Sequence, residues 1–92
     1  MAAIGEERPA RKPGVTALSM GDETLLQDTD AHAIHVLNRT AQLIWELCDG
    51  EHTVAGIEQS VRAHFGLPPD RDIMPDIERT LQAFADKGLL RG

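Results

Sequence analysis

At Asn38 the hydrophobic pattern of this chain changes period, and that change decides what the chain can fold into. Before it, apolar residues fall in short runs between turn signals, the first of them alternating with small polar residues as in a strand half-buried on a core. After it they recur every third or fourth position, as along one face of a helix. Val15-Thr16-Ala17-Leu18-Ser19-Met20 is the first alternating run. Gly21-Asp22 is a turn signal, and Glu23-Thr24-Leu25-Leu26-Gln27-Asp28 reads as the return strand. A polar break, Thr29-Asp30-Ala31-His32, precedes a third strand, Ala33-Ile34-His35-Val36-Leu37. Short strands joined by tight turns predict an antiparallel meander. Such a sheet is marginal alone and needs a helical layer over one face.

Asn38 supplies the capping oxygen from which the helical part starts. Ala41, Ile44, Trp45 and Cys48 then share a face, widened by Leu43 and Leu47, until Asp49-Gly50 stops the helix. Trp45 sits inside this stripe, which favours core packing over a role as a ligand platform. Thr53 caps a second helix with Val54, Ile57, Val61 and Phe65 on its apolar side. Gly56 near its start weakens it by about 1 kcal/mol relative to alanine. Gly66-Leu67-Pro68-Pro69 ends it. A third helix, capped by Asp70 or Asp72 and tolerating Pro75 in its first turn, carries Ile73, Ile77, Leu81 and Phe84 down one face to Gly88. Leu89-Leu90 follow as a docked tail. The fold class is therefore α+β, winged-helix-like, a three-stranded antiparallel sheet followed by a three-helix cluster. Residues 1–14, with Pro9, Pro13 and scattered charges, read as a flexible N-terminal arm, and residues 15–92 as the folded domain.

Charge narrows the function. Nine Lys and Arg stand against 15 Asp and Glu, a formal charge of −6. Arg8, Arg11 and Lys12 outnumber the acidic residues of the first 21 positions, so the rest of the chain holds more than the whole negative excess. Nucleic-acid affinity rests on Lys and Arg displacing counterions, so no nucleic acid is expected as a partner. The third helix offers Arg79, Gln82 and Lys87 but sets Asp72, Asp76, Glu78 and Asp86 beside them, a poor recognition surface.

Chemistry is sparse. The single cysteine, Cys48, forms no internal disulfide and holds no metal by itself; in its apolar stripe it reads as a small hydrophobe. His32 and His35 are an odd number apart, on opposite faces of a strand, and His52 and His64 lie near opposite ends of the second helix. All four read as surface histidines. Asp70, Asp72, Asp76 and Glu78 are accounted for by the dipole at a helix start. The sequence has no phosphate loop, nucleophile elbow or Cys-x-x-Cys pair. The expectation is a non-enzyme without metal or cofactor. No apolar run approaches the roughly 20 residues of a membrane span, and the first residues lack the core of a signal peptide. The chain reads as soluble, cytoplasmic and free of membrane.

What remains is an edge. If Ala33 to Leu37 forms the border of the sheet, its unpaired backbone groups either accept an extended peptide as a fourth strand or are blunted by the strand's shortness and by His32, His35 and nearby charges. Two other readings stay open on the residues alone: a winged-helix regulator that binds DNA, and an assembly domain that dimerises through this edge.

The segment Val36-Leu37-Asn38-Arg39-Thr40-Ala41-Gln42-Leu43-Ile44-Trp45-Glu46-Leu47-Cys48-Asp49-Gly50, with Thr53-Val54 and Phe84-Ala85-Asp86-Lys87-Gly88-Leu89-Leu90, closely resembles the PqqD family of pyrroloquinoline quinone biosynthesis peptide chaperones and their relatives. The resemblance runs from about Val15 to Leu90. It implies a recognition module that binds the leader of a ribosomally made precursor peptide and presents it to a modifying enzyme, often a radical S-adenosylmethionine (SAM) protein. It implies that the peptide adds to the third strand at Ile34, His35, Val36 and Leu37. The facing positions on the third helix would be Asp76, Ile77, Thr80, Leu81 and Phe84, of which Ile77, Leu81 and Phe84 equally satisfy the core pattern. The expected partners are the leader peptide and that enzyme, with the chain itself a monomer or weak homodimer.

Overall fold

The two periods of the sequence become two layers. A computed structural model describes residues 6–91; the first five residues of the expected arm, and Gly92, lie outside it. Strands β1 (Val15–Met20), β2 (Glu23–Asp28) and β3 (Ala33–Leu37) precede helices α1 (Arg39–Leu47), α2 (Val54–Phe65) and α3 (Met74–Asp86). The fold is α+β, as the patterning requires.

The sheet is antiparallel in the order β1-β2-β3, with Leu18 opposite Leu25, and Leu25 in turn opposite Val36. Residues directly opposite share a face. One face therefore carries Thr24, Leu26 and Asp28 of β2 with Ala33, His35 and Leu37 of β3, and this is the buried side, covered by α1. Gln42 of α1 donates to the Ser19 hydroxyl at 3.3 Å across that layer.

The helix starts follow local chemistry. The Asn38 side chain accepts the Ala41 N–H at 2.8 Å, and the Thr53 hydroxyl accepts the Gly56 N–H at 3.0 Å. A Cβ on Gly56 would stand 3.2 Å from that hydroxyl. The glycine that lowers the helix propensity of α2 thus leaves room for its cap. The expected cap of α3 requires correction. Neither Asp70 nor Asp72 occupies that position; Ile73 does, with no side-chain bond to the helix start. Asp72 accepts the Met74 N–H at 3.2 Å from outside. Burial of Ile73 in the core and this bond from Asp72 together hold the start of the helix.

The core joins Leu26 and Leu37 of the sheet to Ile44, Trp45, Ile57, Val61, Ile77 and Phe84 of the helices, closed by Leu89. Trp45 and Phe84 meet edge to face, ring centroids 5.4 Å apart, a geometry that adds about 0.5–1.5 kcal/mol to their burial. Cys48 is fully buried, and loss of solvation pushes its thiol up to about 12.

The segment before β1 is tied to this body through its backbone. Glu7 accepts the Val54 N–H at 2.8 Å, Pro9 accepts that of Gly50 at 3.0 Å, and Arg11 donates to Cys48 at 2.9 Å. The Arg11 guanidinium donates to the Trp45 and Glu46 carbonyls, satisfying orphan groups at the end of α1. Lys12 donates to Leu89, and its ammonium group pairs with Asp28.

Candidate functional site

The site begins at the border of the sheet. Among the described residues β3 pairs only with β2, which leaves its other backbone edge unpaired over Ala33–Leu37. Alternation sends Ile34 and Val36 to the open face of the sheet, 65% and 55% exposed, and turns His35 and Leu37 inward. His35 is therefore not the surface histidine read from the sequence. It is half-buried, and its Nε2 is covered with no hydrogen-bond partner among the described residues. The physical reason is parity: His35 shares a strand face with the buried Leu37.

Where β3 ends, α1 begins, and its first turns form one wall of a cleft of about 380 Å³. Thr40 and Ile44 line it from α1, and Asp76, Ile77 and Thr80 from α3; Val61, Phe65, Leu67, Arg71 and Ile73 complete it. Ile44, Val61, Ile73 and Ile77 are buried and make an apolar floor. Polar groups stand on the rim: the Asp76 carboxylate pairs with Arg79, and the Thr80 hydroxyl donates to the Asp76 carbonyl at 3.0 Å. β3 and α3 are not packed on each other; α1 contacts both and spans the gap.

The loop wall is built by the break after α2. Gly66 takes the left-handed conformation, φ 60°, which glycine adopts without a Cβ clash, and the Leu67 N–H returns to the Arg62 carbonyl at 3.0 Å. Arg62 also donates to the Pro68 carbonyl at 2.6 Å while held by Glu58 at 2.8 Å. Leu67 and Arg71 are so fixed against the mouth of the cleft.

The residues that the resemblance implied are split by this geometry. Ile34 to Leu37 form the edge, and Asp76, Ile77 and Thr80 line the adjoining cleft. Leu81 faces a separate hollow of about 350 Å³ between α3, Val54 and the N-terminal segment. Phe84 lies in the core against Trp45. Sequence reasoning did not single out Thr40, Phe65, Leu67, Arg71 or Ile73 for the site. The signals available were the turn from β3 into α1, which sets Thr40 beside the edge, and the paired prolines, which stop α2 next to α3.

Among the described residues, no three His, Cys, Asp or Glu side chains gather as metal ligands, and no helix is long and apolar enough to cross a membrane. Asp49 and His52 pair at 2.8 Å (Oδ2 to Nδ1) beyond the end of α1. The Glu51 N–H foremost, then the His52 ring and N–H, hold the Asp49 carboxyl well below the usual range.

Comparison with known proteins gives a matching family model, described as coenzyme PQQ synthesis protein D (PqqD), over residues 23–90. No curated protein matches. Among solved structures, the chain is similar to "TbiB1 in Complex with the TbiA(beta) Leader Peptide", with TM-score 0.74 and 22% identity over 90% of this chain and 95% of that one. At this identity the likeness is one of fold.

Proposed function

This chain belongs to the PqqD family, and from that premise we propose that it is a non-catalytic peptide chaperone. It binds the leader of a ribosomally made precursor peptide by strand addition to β3 and presents it to a modifying enzyme of the radical SAM type. The family description makes the coenzyme PQQ pathway the first setting in which to seek the precursor. The observation that carries this reading is the open edge of β3 lying beside a cleft with an apolar floor and a polar rim. That TbiB1, of the same fold, was solved with a leader peptide lends further support.

The physics of such a site divides the work. Backbone groups of an extended peptide pair with the edge and supply affinity that depends little on sequence; a side chain entering the cleft supplies the selectivity. A stretch of the length of β3 covers about 17 Å at 3.4 Å per residue. The peptide chain then continues past Leu37 toward Thr40 and the mouth of the cleft. Ile77 would meet the guest side chain on the floor, while Asp76, Thr80 and Arg71 would flank it. Leu81 and Phe84, facing elsewhere, would serve the fold.

The test is a backbone amide NMR titration with the leader of the precursor encoded beside this chain. The expected result is shifts centred on Ile34 to Leu37, Thr40, Ile44 and Asp76 to Thr80. Saturable binding whose shifts leave β3 untouched would refute strand addition, and leaders that bind nowhere would refute the function.

A further inference from the structure

The four large hydrophobic side chains most open to solvent among the described residues, Leu18, Met20, Ile34 and Val36, share one face of the sheet. Leu18, Leu25 and Val36 form a row across all three strands, Leu25 half-buried between its neighbours. Met20 flanks the row on β1 and Ile34 flanks it on β3. Antiparallel sheets of this kind leave one face to water, and that face is normally polar. Here the core uses the opposite face, so packing within the chain does not account for these residues. Contiguous exposed apolar patches mark interaction surfaces.

The charge around the patch says what covers it. From Pro13 to Asn38 the chain contains no Lys or Arg. Glu23 stands opposite Met20, next to Asp22 in the β1–β2 turn, and Asp30 sits in the β2–β3 turn at the other end. All three are exposed. Lys12, the cation nearest in the chain before the sheet, is committed to Asp28. Arg39, also exposed, follows β3 at the end where Asp22 and Glu23 lie, so the patch is apolar at its centre with acidic side chains in excess at its two ends. An anionic bilayer surface is repelled by such a rim. A second copy laid face to face brings Asp22, Glu23 and Asp30 against their counterparts with Arg39 alone to offset them, which is costly at an interface.

We propose that the outer face of the sheet docks a protein partner that presents an apolar patch bordered by Lys and Arg, and that this partner is the enzyme receiving the peptide. Naming the enzyme rests on the chaperone function proposed above; the surface and its chemistry do not. Ile34 and Val36 belong both to this face and to the strand whose backbone edge would hold the peptide. Docking here would hold the enzyme against the strand beside its substrate.

The experiment uses the full chain, the purified modifying enzyme encoded beside it and the leader peptide. Leu18→Ser/Met20→Ser changes two exposed side chains on β1, away from β3. The expected result is a loss of enzyme affinity of about tenfold or more, with leader affinity within about twofold of wild type. Asp22→Asn/Glu23→Gln should weaken enzyme binding at low salt and flatten its salt dependence. Enzyme binding indifferent to the Leu18/Met20 change overturns the docking surface even when the leader binds normally. A wild-type dimer that this variant converts to monomer, or wild-type flotation with anionic vesicles that it abolishes, overturns the assignment of partner. If the leader fails to bind while enzyme binding still needs Leu18 and Met20, the surface stands and the chaperone function falls.

Discussion

Lys12 Nζ lies 2.8 Å from Asp28 Oδ2, and this ion pair fastens the segment before β1 to the buried face of the sheet. The Lys12 hydrogen bond, foremost, holds the Asp28 carboxyl below its ordinary 3.8 against the upward push of burial, with help from the Ala31 N–H. A carboxyl depressed on folding contributes stability in full above its unfolded value. That contribution is lost as the pH falls through the lower folded value. Asp28→Asn should therefore lower the Tm at pH 7, and the gap from wild type should close as the pH is taken below 3.8. Thermal melts across that range check it; a gap independent of pH would mean that the charge of Asp28 is not what stabilises.

Phe84 should behave as a core residue. Phe84→Ala removes the ring that meets Trp45 and should cost about 3–5 kcal/mol, a large share of the roughly 5–15 kcal/mol that holds a domain together. Urea melts followed by Trp45 fluorescence measure it. Leader affinity in Phe84→Leu, a milder change, should stay within about threefold of wild type, because Phe84 lies outside the cleft.

Asp76→Ala should act the other way round. The exposed Asp76 carboxylate is bonded, among the described residues, only to its helical neighbour Arg79, and such surface pairs are worth about 0–1 kcal/mol. The melting curve should hardly move, while leader affinity falls by a factor of about three to ten. Val36→Pro removes a backbone N–H in β3 and should weaken leader binding more than it disturbs the helices. Calorimetric titration beside thermal melts separates the two effects.

The buried Cys48 thiol, raised to about 12, should resist thiol reagents at pH 8 in the folded chain and react at once in denaturant. A disulfide-exchange colour assay reads this directly; rapid reaction without denaturant would mean that the end of α1 opens readily.

Gly56→Ala is a test of two opposing effects. Helix propensity alone favours alanine by about 1 kcal/mol, but the new methyl group would stand 3.2 Å from the capping hydroxyl of Thr53. The gain should fall short of the propensity value. Pairing the change with Thr53→Ala in a double-mutant cycle should recover the missing part, and strict additivity would mean that the cap is not crowded.

Much of this fold is written in side-chain period. Asn38 marks the change from strand to helix, but β2 sets Leu25 beside Leu26 without alternation, and the alternating Leu18, Met20, Ile34 and Val36 of β1 and β3 point away from the core. What period does not encode is which neighbour a buried face meets. Ile77, Leu81 and Phe84 fall on one stripe of α3, yet one floors the cleft, one faces a separate hollow and one packs on Trp45. Only the packing of α1 and α2 around α3 sorts them. The cap of α3 was obscured by two aspartates with equal claim, neither of which takes the position that Ile73 holds. The seating of Glu7 to Lys12 uses mostly backbone groups, which carry no residue code. The inward turn of His35, by contrast, was legible by counting two residues from Leu37.

Arg91 donates its N–H to the Ala10 carbonyl at 2.7 Å, and Arg11 bridges to Leu90 in antiparallel fashion. The chain thus enters and leaves its fold through one doorway. Geometry of that kind suits insertion into a loop of another protein, since a host needs to part its backbone by only the width of a strand pair. A module closed in this way can be carried inside a larger polypeptide as readily as at its end, with β3 and the cleft unchanged.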